Sequence, residues 1–502
     1  MPPKKASTLL EESQEIQKEI KRLQIEGSEV RFHCIDDRTL VELVKKEGKG
    51  KNDVLGFLVW DIDQPDNPQR RNILDSYLRS TDGVIVYPPK RAERFLDDMV
   101  IPKVKDVEEI GNKIKDFDNN KLDKQIDDFL KKWFVLPEEY ILVLRLFIKF
   151  SWVQEQSDLK TYLSIWGDRG TGKTRIGTYL GWLCRFPYFN KSGATPAVLA
   201  RTLDLVRGVA IIDESDMYLG NTEETASFMR IMKGNESTST YDVVDENRKK
   251  KLPMRFFVGF PKVILSAKPI KDDHLSSRCL ILELKPVKVP EEMRMDTTIE
   301  FRKERMRDAQ KIVDELLIFR LSTFFNRNLT KIILSGIEPR YSDIANPLFK
   351  LINNAEEHKM FYEFVIRNIK TDLEQRADTH EGQLLTCIKR LFAAGPTELF
   401  KDGSPKVYVS EIVSEIKSVY FADVNERDAE KVINNRKIGW ALKNLGIKTK
   451  KVGSSGKFID PQSFDLLESL YRRFGIYEEE PEEILTKNEQ GSIMEEENKK
   501  NE

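Results

Sequence analysis

The sequence predicts an α/β fold with a parallel-sheet core, a helical lid, a small N-terminal α/β domain and a C-terminal helical domain that carries a two-stranded wing. Three observations predict it. A short apolar run at 162–166 ends in a glycine-rich loop, and a helical pattern follows. A second apolar run, at 209–212, ends in two carboxylates. Near the end of the chain, two helical patterns lead into a glycine-containing turn that lysines surround.

Composition favours a water-soluble globular protein. Of 502 residues, 40% are hydrophobic and 33% are charged, and the net charge of −1 means that any affinity for nucleic acid depends on local basic patches. No apolar run reaches the length of a membrane span, and the first residues lack the apolar region of a signal peptide. The four cysteines are dispersed, so we expect a cytoplasmic protein with no disulfide framework, structural zinc or membrane partner.

The first part of the chain predicts two elements of unknown role. Residues 1–27 read as a charged N-terminal helix, and residues 28–110 as a small α/β domain. In that domain the strand candidates are 30–35, 55–62 and 83–87, with helical patterns between them. Residues 111–160 form a helical lead-in to the core.

The glycine-rich loop predicts a phosphate-binding site. Residues 167–174, GDRGTGKT, fit G-x-x-x-x-G-K-[ST], and the flanking strand and helix are the context that the motif requires. Glycines let successive backbone N–H groups turn toward phosphate oxygens, and the helix adds its N-terminal partial positive charge. The alternative is a glycine-rich turn that matches the motif by chance, but the presence of both the preceding strand pattern and the following helix pattern disfavours it. The predicted nucleotide contacts in the loop are Gly167, Asp168, Arg169, Gly170, Thr171, Gly172, Lys173 and Thr174.

Particular side chains of this loop and of the second apolar run predict catalysis. Lys173 would reach the β- and γ-phosphates, and Thr174 would coordinate Mg²⁺. Asp213 would hold the same metal, and Glu214 would orient and deprotonate the attacking water. The alternative is an ordinary strand that ends in acids, but its position after a complete phosphate loop favours nucleotide hydrolysis over binding alone.

Two places after the second run carry further candidates, a predicted basic hairpin tip and the end of the next apolar strand. Two strand-like segments, 237–244 and 254–258, flank a basic tip that would grip DNA phosphates, although such tips are often only solvated loops. The tip residues are Arg248, Lys249, Lys250 and Lys251. At the end of the next apolar strand Ser266 is a candidate sensor of the γ-phosphate, and Lys268 is the alternative.

Two arginines are further candidates. Arg278 precedes an apolar strand and would complete a neighbouring subunit's site, whereas the alternative is an arginine in a surface salt bridge. Arg340 is a candidate second sensor of nucleotide, and a helix-capping or ion-paired arginine is the alternative.

The last patterned region predicts a winged helix that binds DNA. Ile438, Leu442 and Leu445 make one apolar helix face, and basic residues lie off that face and around the wing turn. These basic residues are Arg436, Lys437, Lys443, Lys448, Lys450, Lys451 and Lys457. Many winged helices mediate only protein contacts, and that alternative stays open. The tail from 476 is acidic and is expected to be disordered.

Residues from about 125 to 475 resemble the P-loop ATPases encoded by phages, plasmids and integrated elements, often found fused to or beside primase–polymerases. The resemblance rests on LSIWGDRGTGKTR, SGATPAVLART, AIIDESD, GFPKVILSA followed by SSRCLILEL, PRYSDIANPLFKLI and NRKIGWALKNLGI, in that order. Two departures stand out. The glycine- and arginine-rich segment of the family is replaced by MKGNESTSTYDV, and the N-terminal domain lacks a complete primase signature.

The resemblance implies an AAA+-like P-loop ATPase core that uses ATP and Mg²⁺, a helical lid and a C-terminal winged helix, assembled as a hexameric ring on single-stranded or forked DNA. The implied function is an ATP-dependent DNA motor, a replicative helicase of a mobile element or archaeon-like host. Two rivals are an initiator or helicase loader that does not unwind, and a signalling ATPase with a protein-binding winged helix. The expected divisions after the lead-in are 161–290 for the core, 291–375 for the lid, 380–475 for the winged helix and 476–502 for the tail.

Overall fold

The structure is a computed structural model, and the chain in it divides into two units. The first unit is Met1–Ile332 with Pro339–Tyr362, and the second is Ile333–Glu338 with Glu363–Glu502. The residues that the structure describes are 29–30, 33–36, 38–46, 54–61, 71–74, 78–79, 85–87, 98–190, 194–213, 223–244, 253–270, 272–288, 290, 299–325, 339–395, 398–400, 403, 405–421, 433–451 and 456–476.

The N-terminal strands of the first unit form two small sheets. The strands are β1 (Glu29–Val30), β2 (His33–Asp36), β3 (Thr39–Lys46), β4 (Val54–Asp61), β5 (Arg71–Leu74), β6 (Leu78–Arg79), β7 (Ile85–Tyr87) and β8 (Lys103–Val104). One sheet has the order β1-β7-β6, and the other has the order β2-β3-β4-β5 with β8 paired to β3. Strands β2 to β5 run antiparallel to their neighbours, as hairpin-like connections require.

The central strand β3 was not among the strands that the sequence predicts. Its apolar residues include Leu40, Val41, Leu43 and Val44, a spacing that also fits one face of a helix. In the structure both faces of β3 are buried, so apolar side chains occur on both sides of the strand. Strand β4 coincides with the predicted segment 55–62 to within one residue at each end.

The remainder of the first unit is a parallel sheet with helices. Its elements are α1 (Val107–Lys115), α2 (Asn119–Trp133), α3 (Glu138–Val153), β9 (Tyr162–Gly167), α4 (Lys173–Leu183), β10 (Pro187–Asn190), α5 (Pro196–Val206), β11 (Val209–Ile212), α6 (Glu223–Lys233), β12 (Thr240–Val244), β13 (Pro253–Phe257), β14 (Lys262–Ser266), α7 (Asp273–Ser276), β15 (Cys279–Leu284), α8 (Ile299–Thr323), α9 (Pro339–Phe349) and the residues of α10 (Ala355–Ala377) up to Tyr362, the later residues of that helix belonging to the second unit.

The five-stranded sheet has the order β10-β11-β14-β9-β15, and each neighbouring pair is parallel. The expected α/β fold with a parallel sheet is therefore present. Because the strands are parallel, their carboxyl ends meet at one edge, where ligands bind in open α/β sheets. We call this the carboxyl edge of the sheet, and the opposite side the amino edge.

Helix α4 packs closely on the sheet because it carries two glycines on its inner face. A Cβ at Gly177 would lie 2.5 Å from the Leu265 side chain of β14, and one at Gly181 would lie 2.4 Å from the Phe189 ring of β10. These distances are too short for a larger residue, so the glycines set how near the helix approaches the strands. On the opposite face, apolar residues of α5 and α6 pack on the sheet.

The helices before and after the sheet pack together. Helix α8, from the expected lid, contacts α1 and α2 of the expected lead-in, and it also contacts α3 and α4. Arg145 of α3 pairs with Asp127 of α2 and with Glu357 of α10, each at 2.7 Å. Nearby, the buried amine of Lys149 pairs with Asp123 at 2.5 Å.

The N-terminal sheet is tied to the rest of the first unit by four charged side chains, which we call the buried ion network. Glu42 of β3 accepts from Arg185 Nη2 at 2.9 Å and from Arg320 Nε at 2.7 Å. Glu155 closes the network, accepting from Arg185 Nη1 at 2.6 Å and from Arg320 Nη1 at 3.0 Å. Both guanidinium groups are fully buried. Burial lowers the pKa of Arg320, but Glu155 and Glu42 raise it, and the net shift is upward.

The second unit contains short helices and strands around one apolar core. Its described elements after α10 are α11 (His380–Ala394), β16 (Glu398–Leu399), β17 (Pro405–Lys406), α12 (Val409–Tyr420), α13 (Asn435–Asn444), β18 (Thr449–Lys451), β19 (Lys457–Ile459) and α14 (Phe464–Arg473). Strands β18 and β19 form an antiparallel hairpin. The segment just before α12 joins them, because Ile459 N donates to Val407 O at 3.0 Å.

Candidate nucleotide-binding site and nucleic-acid surfaces

The predicted phosphate loop connects the carboxyl end of β9 to the first residue of α4. Gly170 and Gly172 have φ of 85° and 90°, in the left-handed region that glycine adopts most readily. No atom lies within 4 Å of where a Cβ would stand at either residue, so the loop has open space on that side. Gly172 is also the N-cap of α4, and it has no side chain to occupy the free N–H groups of the first turn.

Lys173 folds back over the loop that it follows. Its amine donates to the carbonyl oxygens of Gly167 at 2.6 Å and Asp168 at 2.7 Å. Thr171 also donates to the Asp168 carbonyl, through its hydroxyl, at 2.9 Å. These contacts hold the amine above the loop, so a phosphate bound there would replace carbonyl oxygens as its acceptor. Arg169 and Thr174 are exposed beside it.

The sheet order brings Asp213 to the edge that carries the loop. Asp213 follows β11, and Ile212 of β11 pairs with Ile264 of β14. Strand β14 in turn pairs with β9, with Ser266 opposite Trp166. Since strands lie about 4.8 Å apart, Asp213 is displaced roughly 10 Å sideways from β9 at the same edge. Glu214, the predicted base, lies outside the described residues.

Ser266 ends the strand between the loop and Asp213, where a sensor of the γ-phosphate was expected. The residue is 4% exposed, and its hydroxyl donates to the carbonyl of Lys268 at 2.7 Å. To donate to a phosphate, the Ser266 hydroxyl would have to give up its hydrogen bond to the Lys268 carbonyl. Lys268, the alternative sensor, is exposed.

Arg278 lies at the amino edge, far from the loop of its own chain. It immediately precedes Cys279, which pairs with Tyr162, the first residue of β9. At about 3.3 Å per residue, β9 places its two ends roughly 16 Å apart. The Nε of Arg278 donates to Asn235 Oδ1 at 2.9 Å, and its Nη1 donates to the His274 carbonyl.

Arg340, the candidate second sensor of nucleotide, lies on the same side as Arg278. Its Nη2 donates to the His274 carbonyl at 3.3 Å, the same oxygen that accepts from Arg278. Helix α9, which carries Arg340, is attached at the start of β9, where the Thr161 hydroxyl donates to the Ile344 carbonyl at 2.6 Å. The fold therefore separates Arg340 from the phosphate loop and brings it to Arg278.

Asn235 is a residue that the sequence did not single out. It is 6% exposed, it holds the Arg278 side chain, and its own carbonyl accepts from the Lys160 N–H at 2.8 Å. Asn235 belongs to the segment MKGNESTSTYDV. No local pattern in the sequence relates Asn235 to Arg278, which follows it by 43 residues.

The base of the β12–β13 hairpin is held at the amino edge by a buried lysine. Lys262 is fully buried, and its amine donates to the Gly234 and Val258 carbonyls, each at 2.9 Å, and to the Tyr162 hydroxyl at 2.7 Å. Burial sets the pKa of Lys262 well below its usual value. The predicted DNA-contacting tip, Arg248 to Lys251, lies outside the described residues.

The predicted DNA-binding residues of the second unit lie on α13 and on the β18–β19 hairpin. Arg436, Lys437 and Lys443 are exposed on α13, as are Lys450 and Lys451 on β18. Lys450 pairs with Asp460 at 3.1 Å, so part of its charge is already balanced. Lys448 and Lys457 are also exposed. Trp440, in the same helix, is 68% exposed and was not predicted as a contact.

Comparison of the chain with models of protein families and with curated proteins finds no match. Within the described ranges, no helix is long and apolar enough to cross a membrane. The described side chains also include no group of three or more His, Cys, Asp or Glu placed to hold a metal ion. A magnesium site beside a phosphate loop takes only a hydroxyl and a carboxylate from the protein, so it would not form such a group.

Proposed function

We propose that this protein is a Mg²⁺-dependent ATPase that works as a ring-forming DNA motor with an AAA+-like core. One observation carries the ATPase proposal. The loop that follows β9 has glycines in the left-handed region with open space beside them, and the Lys173 amine is held above it. Asp213 lies at the same edge of the sheet. Backbone N–H groups at a helix N-terminus are the usual partners of phosphate.

The residues at this edge fit ATP and Mg²⁺. Lys173 would donate to the β- and γ-phosphates in place of the Gly167 and Asp168 carbonyls. The exposed Thr174 hydroxyl and the Asp213 carboxylate supply oxygen ligands, which Mg²⁺ prefers. Bound Mg²⁺ would neutralise charge that develops on the phosphate oxygens. Glu214, next to Asp213 in sequence, is assigned the role of general base on the attacking water.

The position of Arg278 supports assembly into a ring. An arginine at the amino edge cannot serve the loop at the carboxyl edge of its own chain, roughly 16 Å away along β9. In a ring, the amino edge of one subunit would face the carboxyl edge of the next. Arg278, with Arg340 beside it, would then stabilise the charge of the neighbour's γ-phosphate. We propose a homo-oligomer, with a hexamer as the expected size.

Mixing two inactive variants tests this arrangement. Lys173→Ala and Arg278→Ala should each abolish ATP hydrolysis when assayed alone. In a mixed ring, the loop of an Arg278→Ala subunit can meet the intact arginine of a Lys173→Ala neighbour. The mixture should therefore regain hydrolysis. If Arg278 instead serves its own chain, every subunit in the mixture carries one defect and no activity returns.

Two features support DNA as the track of the motor. The described helices from α11 to α13, followed by the β18–β19 hairpin, are compatible with a winged helix, in which α13 would take the place of the recognition helix. Exposed basic residues lie on α13 and on β18, and four more are expected at the tip of the β12–β13 hairpin. Strand displacement from a forked duplex tests unwinding. Hydrolysis without displacement would favour an initiator or loader.

A further inference from the structure

Trp440 occupies the outward face of α13. Ile438 and Leu442 of the same helix are buried in the core of the second unit. At 100° per residue, Trp440 points about 160–200° away from them, so it lies opposite the core-facing side. The indole is 68% exposed.

This exposure distinguishes Trp440 from the other five tryptophans. Of the other tryptophans, Trp60, Trp133, Trp152 and Trp182 are at most 7% exposed, and Trp166 is half-buried. A tryptophan side chain carries a large apolar surface, and leaving it in water forgoes the free energy that its burial would supply. Tryptophan is enriched among the residues that dominate binding energy at interfaces.

The neighbours of Trp440 on α13 are basic. Arg436 precedes it by one helical turn and Lys443 follows it by three residues, so both flank the indole on the same face. Lys437, three residues before it, is exposed on the other flank. Interfaces between proteins are depleted of lysine at their centres, whereas sites for single-stranded nucleic acid combine cations with aromatic side chains.

We propose that Trp440 stacks on an unpaired base of single-stranded DNA while Arg436 and Lys443 contact the phosphates on either side. This inference rests on the proposed DNA-binding function and names its ligand. In an intact duplex each base face is covered by the neighbouring bases, so the indole has no face to stack on. The second unit therefore prefers single strands to duplex, and Trp440 supplies the preference.

The test compares binding of the full chain to fluorescently labelled oligo-dT and to a duplex of the same length. Trp440→Ala should weaken oligo-dT binding by roughly tenfold, the effect of losing one base–aromatic stack. Duplex binding should change by less than about twofold, because phosphate contacts dominate it. Trp440→Phe should retain most of the affinity for oligo-dT. Leu399→Ala, which removes an apolar side chain that is 62% exposed in the same unit, is the matched control and should bind as the wild type does.

Two further readouts separate stacking from a general loss of charge or structure. Oligo-dT should quench part of the wild-type tryptophan emission, and Trp440→Phe should lack that quenching while it still binds. The salt dependence of binding should be the same in Trp440→Ala, but its slope should fall by about one in Arg436→Gln or Lys443→Gln. Because Trp440 is exposed, its variants should melt at the wild-type temperature.

The outcomes distinguish this inference from the proposed function. Wild-type affinity for oligo-dT in Trp440→Ala, or an equal loss for oligo-dT and duplex, overturns the stacking role and leaves a DNA-binding protein. If the wild type binds neither DNA, the proposed DNA function fails as well. In that case the face of α13 would be assigned to a protein partner.

Discussion

Replacing Glu42 by Gln is expected to destabilise the first unit by about 3–5 kcal/mol, the usual cost of removing one partner from a buried ion pair. Glu42 is 1% exposed, and it is the acceptor for both Arg185 and Arg320. The substitution preserves the shape of the side chain but removes the charge. Two buried guanidinium groups would then share a single carboxylate, that of Glu155, so one positive charge would be uncompensated.

Urea unfolding followed by tryptophan emission measures this loss, because five of the six tryptophans lie in the first unit. The transition midpoint should fall, with little change in slope. Glu109→Gln is the matched control, since the pair of Glu109 with Lys113 is 40% exposed on both sides and should contribute less than about 1 kcal/mol.

A double substitution tests whether the uncompensated positive charge causes the loss of stability. Adding Arg185→Met to Glu42→Gln removes the surplus positive charge, so the double variant should lose less stability than the two single variants together. Equal midpoints for Glu42→Gln and Glu109→Gln would refute the idea that the buried ion network holds the N-terminal sheet.

Two other predictions concern buried titratable groups. Burial raises the pKa of Asp127 to about 6, although Arg145 lowers it, and its Oδ1 is buried without a hydrogen-bond partner. The folded protein then holds a proton that the unfolded chain releases near pH 4, so this stabilisation is full below about pH 4 and is lost as the pH rises to about 6. Asp127→Asn should lack this dependence in urea midpoints between pH 4 and 7, and parallel curves would contradict it. Lys262→Met should remove the hydrogen bonds of the amine to the Gly234 and Val258 carbonyls, at about 0.5–1.5 kcal/mol each, because both carbonyls keep a second donor, and should speed amide exchange in β12. Lys233→Met, at a partly exposed pair, is the control, and equal exchange in the two variants would reject the role of Lys262.

Local patterns in the sequence predicted the parts of the fold that depend on neighbouring residues. The apolar runs at 162–166, 209–212 and 263–265 coincide with β9, β11 and β14. Each is a buried parallel strand with apolar residues on both faces, which makes a short continuous run in the sequence. Two of the loop glycines that the sequence singled out, Gly170 and Gly172, have positive φ.

Contacts between residues that are far apart in the sequence could not be predicted from local patterns. Glu42 is separated from Arg185 by 143 residues and from Arg320 by 278, so no local pattern indicates that this acid is buried between two arginines. The position of Arg340 depends on how α9 attaches at the start of β9, which no local pattern encodes. The exposure of Trp440 could have been predicted from the sequence, because this residue lies outside the apolar helix face that Ile438 and Leu442 define.

The most direct test of the account is the rate of ATP hydrolysis by the full chain with and without single-stranded DNA. Lys173→Ala serves as the blank, and a variant with Ala at the four basic tip residues, 248–251, tests the hairpin. The account predicts hydrolysis that the blank lacks, acceleration by DNA, and loss of that acceleration in the tip variant. Hydrolysis equal to that of the blank would contradict the phosphate loop, and hydrolysis that DNA leaves unchanged would contradict the DNA motor.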